Sequence, residues 1–428
     1  MKTKHYLTGL LAFGCALSIT ACGFNGTAEK TDAEKTGETG TVRVWFMEGS
    51  ISEDAQNYLK TEFEKQNPGS ELKVEVQQWD GIVSKLQTSL ASKNESPDIV
   101  EIGNTQTATF ATVGAFADVT DLKETLGGKD LIPSFVEAST VDGKIYAYPL
   151  YAGARGVFYR TDLFEKAGIK VPETIAEFKE AAIKLQAANP DKVVDFGGLY
   201  LAAVDVHGVE SYLFASGFDY AAFEDGKWVG KVTTPESIAA LKDVQDLFKN
   251  GTTFALDSQA GQKSFERYFN ENQTGILIGT GNIGAKLDEK LWKENKVGVF
   301  KLPSAEKGVP GASFAGGSNV ALATNSQHPE LAKKAMEVIY SEGFQTFLAK
   351  DGWVPGNTKY SSEIAGPLGE IAADIVNNSK LTPNTPQWGV AVGDGEINDF
   401  FTRIAKGEDV EATAKAFNEK LETALNAK

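Results

Sequence analysis

The side chains able to do covalent or metal chemistry are few in this chain. In 428 residues there are two cysteines, Cys15 and Cys22, and three histidines, His5, His207 and His328. Both cysteines precede residue 23, so the rest of the chain has no disulfide, no thiolate nucleophile and no cysteine-based metal site. Cys22 follows Ile19-Thr20-Ala21, whose small residues fit a narrow peptidase site, whereas Cys15 lies inside an apolar run. His207 and His328 are far apart, and neither is read as having a partner at ligand spacing, so no metal is expected. Gly279-Thr-Gly281-Asn-Ile-Gly284 has the GxGxxG spacing of a dinucleotide turn, whose glycines let backbone approach a pyrophosphate. The acidic residue required about 20 positions later is missing, because the chain there reads Val297-Gly-Val-Phe300. GxxxxGK[ST], GxSxG and HExxH do not occur, and no cofactor is expected.

The elements that position the remaining polar residues alternate in kind. Residues 41–46 alternate as a strand, and a helix follows with Ala55, Tyr58, Leu59 and Phe63 on one face and Ser50 with Glu53 as its capping box. Leu72, Val74 and Val76 mark a second strand. Asp80 caps a helix striped by Ile82, Val83, Leu86 and Leu90, and Asp98-Ile-Val-Glu-Ile102 reads as a buried strand. This β-α-β-α-β order predicts an α/β fold with a mostly parallel sheet covered on both faces. Ligands of such sheets meet the loops beyond the strand ends, and Glu48, Trp79-Asp80 and Asn104 fall there.

Length and charge narrow the function classes. Residues 1–21 open with Lys2 and Lys4 and continue in an apolar stretch too short to span a bilayer, which reads as an export signal. Removing it takes two lysines and no acid, so the formal charge of −16 becomes −18 over 407 residues. That acidity excludes nucleic acid and anionic lipid as electrostatic partners and favours a monomeric binder of a neutral ligand. The length suits two domains. Residues 22–40 are Gly, Thr, Glu, Lys and Asp with almost no large apolar side chain, the composition of a flexible stalk.

Two resemblances add to this reading. The segment around Cys22 resembles the lipobox of bacterial lipoproteins, which implies a lipid-anchored protein on the outer face of the cell membrane of a Gram-positive bacterium. The body resembles the carbohydrate-binding solute-binding proteins of ABC importers, relatives of maltose-binding protein. The residues that carry it begin with Val44-Trp45 and Glu48, then Ser96-Pro97-Asp98-Ile99-Val100, Gly114-Ala-Phe-Ala-Asp118 and Tyr146-Ala-Tyr-Pro149. They continue with Val157-Phe-Tyr-Arg-Thr-Asp-Leu-Phe164, Ala167-Gly-Ile-Lys-Val-Pro172, Gly316-Gly-Ser318 and Trp353-Val-Pro355.

The resemblance implies a periplasmic-binding-protein-like fold. Lobe 1 would hold residues 41–151 and 318–352, and lobe 2 residues 156–313 and 357–428. Hinge segments would lie near 150–156, 314–318 and 352–357, with an interlobe ligand cleft. It further implies an oligosaccharide ligand, an ABC permease as partner and no catalysis. A pyranose has apolar faces and a hydroxyl rim, so its site needs flat aromatics together with carboxylates, amides or guanidinium groups. The expected site residues are Glu48, Asp80 and Asn104; Tyr151 and Arg155 at the first crossing; Asp205 and His207; Asn282, where relatives often carry tryptophan; Gly317 and Ser318; Trp353; and Trp388 and Asp394. Trp45 reads as core, and Trp79 as core or site in equal measure. The reading from another class is a surface glycoside hydrolase, with Asp205 and Glu48, or Asp394 and Asp80, as its carboxylate pair.

Overall fold

A computed structural model of the chain describes residues 38–427 apart from 80, 258–264, 315, 365, 384, 386 and 392–394. The leader, Cys22, the stalk up to residue 37, Asp80 and Asp394 therefore lie outside the described residues.

Two sheets organise the body. The larger runs, edge to edge, Val354–Pro355, Ala147–Ala152, Gly317–Leu322, Ile99–Gly103, Thr41–Met47 and Glu71–Gln77. Alternation along Thr41–Met47 sends Val42, Val44 and Phe46 to one face, against Leu59, Phe63 and Phe344. Trp45 and Met47 go to the other, against Ile82, Leu86 and Leu90, so Trp45 is core, as its pattern predicts. The helix Glu53–Gln66 starts two residues later than expected: Ser52 caps it, its Oγ accepting the Ala55 N–H at 3.4 Å, while the side chain of Ser50 is buried. The helix Ile82–Ala91 is preceded by Gly81 in the left-handed region (φ 72°), with no side-chain cap.

The smaller sheet runs Val297–Phe300, Gly156–Arg160, Thr274–Gly279 and Gly197–Tyr200. Its core includes Phe178, Leu199, Tyr212 and Ile276, and is closed by the C-terminal helices Glu396–Ala405 and Val410–Leu425. Phe400 stacks on Phe417 at 4.3 Å between those helices.

The expectation of mostly parallel sheets is corrected. Thr41–Met47 pairs in parallel with both neighbours, but Gly317–Leu322 lies antiparallel between Ile99–Gly103 and Ala147–Ala152. In the smaller sheet Gly156–Arg160 is antiparallel to both of its neighbours. The reason is the crossing of the chain between sheets, which brings strands in from the opposite side. The crossing segments lie side by side: the Gly153 N–H donates to the Gly316 carbonyl at 2.8 Å, and the Gly356 N–H to that of Leu150 at 2.9 Å. Val354–Pro355 pairs with Tyr151 and Ala152 in the same place. No helix among the described residues is long and apolar enough to cross a membrane.

Candidate functional site

Where the crossings meet the strand ends, the chain encloses a cavity of about 460 Å³. The larger sheet contributes Trp79 and the turn Asn104–Gln106; the crossings contribute Tyr151, Arg155, Phe314, Ser318 and Trp353; the smaller sheet's side contributes His207, Phe265, Thr280 and Asn282. The short helix Trp388–Ala391 comes within 8 Å, Cα to Cα, of the turn Asn104–Gln106.

Aromatic planes dominate the lining. The Trp353 ring lies 4.4 Å from that of Tyr151 at 29°, a stacked pair. Such pairs contribute about 0.5–1.5 kcal/mol beyond burial. Phe265 stacks on Tyr200 at 5.2 Å and 6°, and His207 on Phe314 at 4.1 Å and 2°. Trp79 is 43% exposed, an unusual state for a tryptophan unless something covers it.

The polar groups are held from behind. His207 Nδ1 lies 2.8 Å from Glu210 Oε2, and the buried Glu210 also accepts the Tyr220 hydroxyl at 2.9 Å. This corrects the reading that His207 has no carboxylate nearby, because one turn of the helix Val206–Ala215 brings Glu210 beneath it. Arg155 is half-buried; burial lowers the pKa of its guanidinium, against the opposing charges of Asp205 and Glu210. Its Nη1 is shielded from solvent and has no hydrogen-bond partner, and the same holds for Gln106 Oε1. An orphan donor and an orphan acceptor on one cavity are what a polyol satisfies. Burial, with Glu101 beside it, pushes the Tyr151 hydroxyl far above its usual range.

Of the expected site residues, the cavity gathers Asn104, Tyr151, Arg155, His207, Asn282, Gly317, Ser318 and Trp353. Three others lie off this lining. Trp388 is 4% exposed and belongs to the core beneath, edge-on to Tyr220 at 5.1 Å. Asp205 lies off the lining and caps the helix Val206–Ala215, accepting the Gly208 N–H at 3.2 Å. Glu48 is exposed on the turn after the first strand, also off the lining. Phe265 and Phe314, which the sequence did not single out, line the same cavity as Asn282. No Asp or Glu is among the described lining residues.

The GxGxxG run is a packing device. Gly281 opens a helical turn of four residues, Gly281–Gly284, and abuts the Gly352 backbone, where φ is 86°. Beyond this contact lies a second cavity of about 280 Å³, lined by Phe158, Leu287, Trp292 and Leu368. Its lining also includes Glu289 and Lys350.

A family model described as bacterial extracellular solute-binding protein matches residues 48–346. Diacetylchitobiose binding protein DasA of Streptomyces coelicolor is 30% identical over 418 residues, covering 95% of this chain and 96% of its own. Maltodextrin-binding protein MdxE of Bacillus subtilis is 22% identical, covering 88% of this chain and 87% of its own. Among solved structures, the GacH receptor of Streptomyces glaucescens is similar with a TM-score of 0.77 at 19% identity, covering 92% of this chain and 100% of its own. The sugar-binding protein MalE of Xanthomonas citri gives 0.76 at 22%, covering 90% and 97%. These neighbours show the two-lobed fold, and the relatives are binding proteins rather than enzymes. With the fold, the cleft and the matched length in agreement, the chain belongs to the bacterial extracellular solute-binding proteins, and the relatives and neighbours it resembles include sugar-binding proteins.

Proposed function

We propose that the protein captures an oligosaccharide in the 460 Å³ cavity by lobe closure and delivers it to the permease of an ABC importer. The observation that carries this reading is the lining itself: Trp79, Phe265, Phe314 and Trp353 offer flat apolar faces, while Arg155, His207, Asn104 and Asn282 offer groups for a hydroxyl rim. The lobes of this proposal are residues 41–151 with 318–352, and 156–313 with 357–428. The hinge is the set of segments 150–156, 314–318 and 352–357, supported by the hydrogen bond between Gly153 and Gly316. A ligand touching both lobes favours the closed arrangement by its differential affinity, and closure signals occupancy to the permease. Residues 1–21 act as a signal peptide, Cys22 carries the lipid anchor, and residues 22–40 tether a monomeric body outside the cell.

The test is a thermal-shift screen followed by calorimetry across diacetylchitobiose, maltodextrins, arabino-oligosaccharides and the corresponding monosaccharides. One oligosaccharide retained stoichiometrically and returned intact supports capture. Turnover of the sugar supports the hydrolase reading, against which stands the position of Asp205 and Glu48 off the described lining. No retention of any saccharide refutes the proposal.

A further inference from the structure

Beneath the cleft floor lies a group whose cost stability alone does not justify. Glu101, within the strand Ile99–Gly103, is fully buried. Its Oε2 accepts the Met47 N–H at 2.8 Å, and its Oε1 accepts the Tyr151 hydroxyl at 2.9 Å. The Tyr151 hydroxyl also stands 2.8 Å from Ser50 Oγ, and Ser318 Oγ donates to it at 3.2 Å. Ser50, Tyr151 and Ser318 are buried too. None of these partners is a cation. A carboxylate without a counter-charge is among the costliest groups to bury, and neutral donors replace its hydration only in part. Burial accordingly raises the pKa of its carboxyl, against the pull of hydrogen bonds from the Met47 N–H and from the hydroxyls of Ser318, Ser50 and Tyr151. Glutamine or methionine would fill the same space at lower cost.

What the carboxylate gains is control of one ring. Tyr151 has a single hydroxyl hydrogen, and of the acceptors in reach the carboxylate is the strongest, so the hydrogen points to Glu101 and Ser50 donates in its turn. The far end of the ring is thereby fixed, and its face carries Trp353 at 4.4 Å. Trp353 and Ser318 both line the cavity.

We propose that Glu101 is a positioning residue for the bound saccharide: it fixes the Tyr151 ring, on which Trp353 rests as the aromatic surface that meets the ligand. This rests on the reading of the cavity as a sugar site. Glu101→Gln keeps the length but supplies one acceptor and one donor. It cannot accept from Met47 and Tyr151 together, so the Tyr151 hydrogen turns to Ser50 and the platform loosens.

The test uses the full chain and the saccharide that wild type retains best. Calorimetry compares wild type, Glu101→Gln, Trp353→Ala and the double variant. Glu101→Gln is expected to bind about tenfold more weakly, with an unliganded melting temperature equal to or above that of wild type. Trp353→Ala is expected to lose less affinity in the Glu101→Gln background than in wild type. A sugar-free signature accompanies this: the emission of Trp353, taken as the difference from a Trp353→Phe variant, shifts when Glu101 becomes glutamine. Tyr151→Phe cuts the same tie and is expected to show the same loss, which keeps the test decisive should Glu101→Gln fail to fold. Unchanged affinity in Glu101→Gln, additive losses in the double variant, or an unmoved Trp353 signal overturns the proposal while the sugar reading stands. A wild type that retains no saccharide overturns both.

Discussion

Replacing Gly281 by alanine places a methyl group where the turn after Thr274–Gly279 touches the turn after the helix Glu342–Lys350, backbone to backbone. That carbon falls 2.2 Å from the Gly352 carbonyl oxygen, and real Cβ contacts essentially never drop under 3.0 Å, so the two turns must part by about 0.8 Å. Neither side is a flexible side chain that swings away. Overpacking of this kind costs about 1–3 kcal/mol. One turn belongs to each proposed lobe, and the side of the contact occupied by Asn282 and Trp353 is the cavity wall. If the contact forms only when the lobes close, the whole cost falls on the ligand-holding state and affinity drops by about 5- to 150-fold. Isothermal titration against the preferred saccharide reads this directly, with the unliganded melting temperature as control. Undiminished affinity with a lowered unliganded melting temperature refutes the reasoning, because it shows the turns in contact whether or not the cleft is shut.

Four further outcomes are expected. Arg155→Met removes a guanidinium whose Nη1 has no protein partner, so saccharide affinity falls by about ten- to a hundredfold, the range of a hydrogen bond to a charged group, while unliganded stability holds. Trp353→Ala weakens binding in calorimetry and lowers unfolding free energy by only about 0.5–1.5 kcal/mol, the worth of its stacking on Tyr151. Trp388→Ala does the reverse: it empties a core position beside Tyr220 and lowers unfolding free energy by about 3–5 kcal/mol, read from urea titration. Asp118 is held down at about 2 by the Thr120 hydroxyl and N–H and then by Lys144. Its contribution is therefore present above the ordinary carboxylate range and lost as pH falls towards 2. Asp118→Asn should flatten that part of the acid-unfolding curve and modestly lower stability at neutral pH, where the contribution it removes is present and solvent screens it.

The fold was legible wherever one residue's pattern reported its own burial. Alternation along Thr41–Met47 places Trp45 in the core without any knowledge of its neighbours, and the stripe Ile82, Leu86, Leu90 does the same for its helix. Strand direction was not legible, because Gly317–Leu322 enters the larger sheet from the other side of the molecule, and local sequence carries no trace of that path. The candidate site divides in the same way. Tyr151, Ser318 and Trp353 stand in segments whose glycines and family likeness mark them, whereas Phe265 and Phe314 look like any core phenylalanine until the chain folds. The burial of Trp388 was not legible, because it follows a proline-rich stretch and its partner, Tyr220, is 168 residues away. Glu101 had a signal that went unread: an acid in the middle of a strand otherwise composed for burial.

The placement of Gly317–Leu322 has a consequence for how the chain acquires its structure. An interior strand that arrives more than 200 residues after its neighbour Ile99–Gly103 leaves two bare edges on every shorter intermediate, and the helices that close the second core come later still. Neither half can be completed from a contiguous stretch, so assembly waits on distant loop closures and is slow by topology alone. Until residue 322 is in place, the exposed strand edges invite pairing between chains. A chain of this architecture gains from having its whole length available at once, before either sheet stands with an open edge.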